Sequence, residues 1–366
     1  MKIAFDHQVF GFQKHGGVSR YFSELIANLS QCEDLDVTVL APLFVNQYLL
    51  RPSVRAHVRG RYFPWSFRGN ATVVRALNAL LVPMFWTVSR FDLIHETYYS
   101  RQAHGRARLR VLTIYDMIHE LFPQEFPNSA QVTAAKRAAV ARADHIICIS
   151  ETTRQDAIRL LGIAPERSSV TYLGCSLDEQ AENPKLIESV GSYFLYVGQR
   201  GGYKNFRVVL EAMGSSAALK RSCHLVAFGG GAFSVEELQE IERRALKGRV
   251  LQGAGNDSLL AAHYRAATAL VYPSRYEGFG IPPLEAMANG CPVICSNAGS
   301  LSEILAEAAA YFLPDDSAKL RALMERVAND RQYADCLRTS GLAQVKKYSW
   351  AKCAGETART YRLLAN

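Results

Sequence analysis

What this 366-residue chain lacks narrows it before any motif is read. It has no Cys-x-x-Cys pair. Its eight cysteines (Cys32, Cys148, Cys175, Cys223, Cys291, Cys295, Cys336 and Cys353) are scattered. Cys148, Cys291 and Cys295 lie in apolar runs, where a reduced thiol behaves as a small hydrophobe. The pattern predicts a reducing, cytosolic setting with neither a disulfide framework nor a zinc site. No apolar run is long enough to span a bilayer: the strongest, Leu77 to Trp86, is broken by Pro83 and flanked by Arg75 and Arg90. Met1-Lys-Ile-Ala-Phe5 reads directly as a strand, so no signal peptide is expected. The loop that follows lacks the Gly-x-Gly-x-x-Gly spacing of a dinucleotide oxidoreductase.

Lysine is missing from one long stretch. Between Arg51 and Arg110 there are eleven arginines against Asp92 and Glu96, a local balance of +9 in a chain whose net charge is +8. Two accounts fit: solvated flanks around a core helix, or a basic face for anionic lipid or a lipid-diphosphate acceptor. No nucleic-acid module accompanies the charge, so nucleic acid is not an expected partner.

What is present is an α/β alternation. The first half predicts strands at Lys2–Asp6, Asp36–Ala41, Asp92–His95, Arg110–Tyr115, His145–Ile149 and Ser169–Leu173, with amphipathic stretches such as Ser19–Leu29 and Ser129–Ala143 between them. A second series predicts strands at Tyr193–Val197, His224–Phe228, Arg249–Gln252, Ala267–Tyr272, Pro292–Cys295 and Ala310–Leu313. Short apolar strands alternating with helices imply parallel sheets covered on both faces, and two series imply two doubly wound, Rossmann-like domains. The polar stretch Ser176–Pro184 is the expected linker, and Ser349 the expected cap of a last helix.

The most informative segment is Tyr276-Glu-Gly-Phe-Gly-Ile-Pro-Pro-Leu-Glu-Ala-Met-Ala-Asn-Gly290. Two carboxylates, Glu277 and Glu285, flank a Gly-x-Gly turn and a proline pair suited to a first helical turn. Gly290 suits the helix end. A strand, a loop bearing Glu277 and a helix bearing Glu285 would aim helix amides at the crevice where open α/β sheets bind ligands. Each piece alone reads as a solvated glutamate or an ordinary turn.

With Pro273-Ser274 before it and Gly290-Cys-Pro-Val293 and Gly299-Ser-Leu-Ser-Glu-Ile304 after it, the segment resembles the signature of retaining glycosyltransferases of family 4. These share the GT-B fold, two Rossmann-like domains with a cleft between them. The resemblance implies an acceptor-side domain over 1–180, a donor domain over 190–347, and a C-terminal helix over 348–366 crossing back to the first domain. It implies that Gly17, of the Gly16-Gly17 loop, faces the donor phosphates. Lys204, in Val197-Gly-Gln-Arg-Gly-Gly-Tyr-Lys204, would meet the leaving diphosphate, as would the backbone of Gly278, Phe279 and Gly280. Glu285 would hold the ribose hydroxyls, and Glu277 the sugar and its developing charge. Two departures stand out. Gln199 occupies the slot where many members carry arginine, with Arg200 beside it as the alternative phosphate ligand. Tyr115-Asp116 replaces the usual His-Asp, so His119 or Tyr115 takes that place; His95-Glu96 is a weaker candidate. Gly253 to Ser258 resembles the base-binding loop, and Ser150 reads as a helix cap.

The expected activity is a metal-independent hexosyl transfer from a nucleotide diphosphate sugar, without a cofactor, to a saccharide or lipid-linked acceptor. The start Phe5-Asp-His-Gln8 and the string Tyr115 to Glu120 look most like bacterial O-antigen and capsule enzymes that use mannose or related GDP-sugars. A cytoplasmic protein, peripheral at the inner membrane face, is the corresponding location. The alternatives are a non-catalytic GT-B relative and a GT-B nucleotide-sugar epimerase.

Overall fold

The computed structural model describes residues 1–65, 70–87, 90–175 and 191–366. The expected linker and Arg68 fall outside these. The chain forms two compact units, Met1–Gly174 with Ser349–Asn366, and Cys175–Tyr348.

The first unit carries a seven-stranded sheet, β1 (Lys2–Phe5), β2 (Asp36–Phe44), β3 (Val58–Tyr62), β4 (Phe91–Glu96), β5 (Ala107–Ile114), β6 (His145–Cys148) and β7 (Ser168–Val170). Its order is β3-β2-β1-β4-β5-β6-β7, every pair parallel. Order reverses between β1 and β4, which makes that junction the ligand-binding crevice of such a sheet. β3 is the strand that sequence periodicity does not reveal. It is an edge strand reading Val-Arg-Gly-Arg-Tyr, with Arg59 and Arg61 exposed. Arginines there discourage another chain from adding to the edge, a structural reason for two of the clustered cations. Others are also engaged locally: Arg51 with Glu24, Arg108 with the Ala365 carbonyl, and Arg110 with Glu96.

The last helix, Trp350–Ala365, is capped by Ser349 and packs on the helix Gly17–Leu29 within the first unit. Buried Tyr361 contacts His95, and Arg362 forks onto Asp34 with two 2.8 Å bonds. The helix Gly17–Leu29 starts two residues before the amphipathic stretch expected from Ser19. Gly16 is the cap residue, and the Gln13 side-chain oxygen accepts from the Ser19 amide at 3.2 Å.

The second unit holds β8 (Tyr193–Val197), β9 (His224–Phe228), β10 (Val250–Gly253), β11 (Ala269–Tyr272), β12 (Val293–Ser296) and β13 (Ala310–Phe312). The order β10-β9-β8-β11-β12-β13 is again all parallel, with its reversal between β8 and β11. Its core is one continuous cluster in which strand residues such as Phe194 and Val271 meet Val209, Met213, Leu320 and Met324 of the covering helices.

Candidate active site

In the second unit the reversal point brings together residues far apart in sequence. β8 ends in Val197-Gly198, and a short turn carries Lys204 back over the sheet edge. β11 ends in Tyr272, and its loop delivers Glu277. Lys204 Nζ and Glu277 Oε1 lie 2.7 Å apart, with the side chains only 18% and 13% exposed. Burial opposes the ammonium charge. Tyr272, Glu277 and Tyr203 around it more than compensate, so the Lys204 pKa rises above the ordinary lysine value and the side chain stays cationic. The rings of Tyr203 and Tyr272 lie 5.1 and 5.7 Å from that cation, within cation–π range.

The glutamate loop is held from several sides. Asn205, in a left-handed conformation (φ +57°), donates to the carbonyls of Pro273 (3.1 Å) and Pro314 (2.7 Å). Ser300 donates to the Glu277 carbonyl from its amide (3.1 Å) and its hydroxyl (3.0 Å). A Cβ on Gly299 would sit 2.6 Å from the Glu277 backbone, so that glycine is required by close approach as well as by its φ of +57°. The tail of the signature therefore acts on its head: Gly299-Ser300 fixes where Glu277 stands. Gly280 (φ +107°) turns the chain into the helix Ile281–Ala288, with prolines in its first turn. Gly278, Phe279 and Gly280 are buried beside it. Glu285 lies on this helix, half-buried, with its carboxylate 3.5 Å from the Tyr264 hydroxyl.

Arg200, expected beside Gln199 as a phosphate ligand, is engaged within the fold. Its guanidinium is buried, donating to Glu237 at 2.8 Å and to the carbonyls of Gly229 (2.8 Å), Gly231 (3.0 Å) and Ala232 (2.9 Å). Phe233 covers its face at 4.7 Å. Each of its three nitrogens donates, Nε to Glu237 and the two terminal nitrogens to carbonyls of the Gly229–Ala232 turn, so the side chain ties that turn to Glu237. Gln199 next to it is exposed.

In the first unit the strand-end candidates are mostly internal. His95 bonds Tyr361 (2.5 Å) and Thr113 (2.8 Å), and burial lowers its pKa to about 3. Glu96 receives Arg110 and Arg142. Tyr115 is buried and donates to the Thr97 carbonyl at 2.9 Å. His119 is half-buried with its ring on Phe126 (4.6 Å), and burial lowers its pKa. Its ring is thus directed toward the start of the Ser129–Arg142 helix. A Cβ on Gly17 would meet no atom within 4 Å, so nothing in the fold itself demands glycine there. Ser150 caps its helix by accepting from the Thr153 amide at 3.0 Å. Sequence reasoning missed Tyr272, Asn205 and Tyr264 at the second site, since an isolated tyrosine or asparagine carries no spacing signal.

Comparison with known proteins agrees with this layout. The profile of Glycosyltransferase Family 4 matches residues 15–179 and that of Glycosyl transferases group 1 matches residues 178–341. The O-antigen chain mannosyltransferase B of Escherichia coli is 29% identical over 95% of this chain and 96% of its own length. The O-antigen chain mannosyltransferase RfbU of Salmonella typhimurium is 27% identical over 60% of this chain and 61% of its own. Among solved structures, Anabaena Alr3699/HepE in complex with UDP-glucose superposes with a TM-score of 0.75 at 17% identity, covering 99% of both chains. Two parallel-sheet units with their reversal points, and two family profiles running end to end along them, make this chain a member of glycosyltransferase family 4 with the GT-B fold.

Proposed function

We propose that the protein transfers a hexosyl group, mannose or a related sugar of a GDP donor, to a saccharide or lipid-linked acceptor in bacterial surface polysaccharide synthesis. The observation that carries this reading is the largely buried Lys204–Glu277 pair at the β8/β11 reversal, beside the N-terminus of the helix that bears Glu285. The mannosyltransferase relatives support the sugar class.

In this reading the diphosphate lies toward Lys204 and the amides at the Gly280 turn, which favour anionic oxygen. The bond from the sugar's anomeric carbon to the β-phosphate oxygen breaks, and its electrons go to the diphosphate. The acceptor oxygen bonds that carbon on the same face and loses its proton to the departing diphosphate, so configuration is retained. Glu277 serves two ends: its carboxylate holds Lys204 in place and faces the cationic character that develops on the sugar ring. Glu285 accepts from the ribose hydroxyls. Because the site carries its own ammonium and amides, transfer proceeds without a divalent metal. Activity that EDTA abolishes and magnesium or manganese restores would contradict that part.

No helix among the described residues is long and apolar enough to cross a membrane. Peripheral attachment at the inner face of the cytoplasmic membrane fits the helix Asn70–Thr87, which leaves Leu80 (74%) and Met84 (65%) exposed. The deciding experiment is a panel of GDP- and UDP-sugars followed by thermal stability and by transfer to a mannose-terminated glycolipid. A GDP-sugar that raises the midpoint and is consumed with retained configuration is expected. No stabilisation and no transfer by any donor would reject the reading.

A further inference from the structure

Lys204 and Glu277 belong to two separate loops of the second unit, and the residue that joins those loops is Asn205. Asn205 stands at a junction. The turn Gly202–Lys204 precedes it, and the helix Phe206–Gly214 follows and enters the core, with Phe206 against Tyr196 at 4.8 Å. Its φ of +57° lies in the left-handed region, which glycine and asparagine adopt most readily. That conformation asks nothing of the side chain. Asparagine at a helix start ordinarily caps the helix through its side-chain oxygen. Here it makes no such bond.

The carboxamide reaches out of its own loop instead. Nδ2 donates to the carbonyl of Pro273, where the glutamate loop begins, and to that of Pro314, just after β13. Two carbonyl acceptors require an NH₂ group, which a carboxamide supplies and a carboxylate does not. Asn205 is 8% exposed, so water competes little for these bonds. A backbone bond runs beside them, from the Arg275 amide to the Tyr203 carbonyl at 2.7 Å. The loop from Pro273 to Glu277 is thus fastened at its start by Asn205 and at its end by Ser300. A lysine stem is long and flexible, so its ammonium is held only as closely as the backbone around it.

We propose that Asn205 is a positioning residue: its carboxamide ties the turn bearing Lys204 to the loop bearing Glu277 and so sets the ammonium where the second phosphate of a nucleoside diphosphate is read. The diphosphate rests on the reading above, while the tether is measurable without any nucleotide.

Asn205→Gly keeps the left-handed turn and deletes the carboxamide. Nitrogen-15 NMR of the lysine ammonium groups, with the Lys204 signal identified by its loss in Lys204→Gln, reads the tether on the full chain. The wild type should show a protected ammonium, and Asn205→Gly should speed its exchange by about tenfold. Calorimetry of GMP against GDP and of UMP against UDP reads the consequence. The wild type should prefer the diphosphate of the base it accepts. Asn205→Gly should cut that preference by about tenfold, the scale of one hydrogen bond to a charged group, and leave the monophosphate unchanged. The ratio does not depend on the folded fraction. Should the glycine variant not fold, Asn205→Gln carries the test, since it keeps the amide but moves it by one methylene; a smaller change in the same direction is expected.

Exchange that the variants leave unchanged, or a diphosphate preference that they retain, overturns the assignment. So does an equal loss for monophosphate and diphosphate, which marks a merely structural defect. Donor turnover by the wild type alongside any of these results keeps glycosyl transfer and drops Asn205 alone. Protection lost in Asn205→Gly, in a chain whose wild type binds no nucleotide, does the reverse: the tether stands and the donor reading falls.

Discussion

The two units share one architecture, a parallel sheet reversing order once, yet they treat the polar residues at that reversal differently. In the first, the groups at the strand ends are tied into the fold. Asp6 holds Thr97 and Gln8, His95 joins Thr113 to Tyr361, and Glu96 takes two arginines. In the second, Lys204 and Glu277 face each other as a nearly buried pair supported by tyrosines, while the surrounding backbone is clamped by Asn205 and Ser300. A buried charge at a reversal point is therefore no sign of chemistry by itself. What separates the two is where the clamps attach: on the functional groups in the first unit, on the backbone carrying them in the second.

The largest expected effect concerns Arg200, which breaks the pattern by being a tied-down cation in the second unit. Arg200→Leu leaves Glu237 and several carbonyls without their donor, and removing one partner of a buried pair costs about 3–5 kcal/mol. Urea unfolding should show that loss. A stable variant with only weakened nucleotide binding would return Arg200 to the phosphates.

Glu277→Ala should cut turnover roughly a hundredfold or more while leaving nucleotide affinity intact, because the freed Lys204 still attracts phosphate. Steady-state rates with calorimetry of GDP and UDP check this. Normal turnover with poor nucleotide affinity would reverse the assignment. Glu285→Ala should instead weaken donor and free nucleotide together by roughly 1.5–3 kcal/mol, the range for a hydrogen bond to a charged group.

Acid should single out the first unit. His95 and His7 are held neutral in the fold, with pKa values lowered to about 3 and about 4 from 6.5. The unfolded chain therefore binds more protons below pH 6.5, and stability falls as pH drops from there toward the folded values. The slope is about 1.4 kcal/mol per pH unit for each such histidine. The three tryptophans, Trp65, Trp86 and Trp350, all belong to the first unit, so their fluorescence follows its unfolding alone. His95→Gln should flatten the acid slope by one histidine's share; an unchanged slope would mean His95 is not the group responsible.

The smallest effect is at the exposed helix face. Sedimentation with anionic vesicles at low salt should be reduced by Leu80→Gln with Met84→Gln. Each basic group near such a surface adds about 1 kcal/mol, lost at high salt. If wild type ignores anionic vesicles, the arginines serve the edge strand and local pairing only.

Much of this was legible in the residues. Twelve of the thirteen strands among the described residues follow from short apolar runs, and the signature from Tyr276 to Ile304 pointed to the candidate site of the second unit. β3 was not legible, because an edge strand with exposed arginines has no apolar run to betray it. Nor was the fate of Arg200, which sits one residue from the expected slot. A shift of one position at the end of a strand sends a side chain to the other side, and here that side holds Glu237 and the glycine turn.

The sequence by itself determined the class of fold, the family and the residue types at the second site, because periodicity, capping and a tight run of glycines, prolines and carboxylates are local properties. Tertiary structure alone decided which of these groups meet. Lys204 and Glu277 are 73 residues apart in sequence, and only the parallel pairing of β8 with β11 puts their loops side by side. The same kind of pairing decided that His95 is a buried strut, since its partner Tyr361 arrives from the far end of the chain.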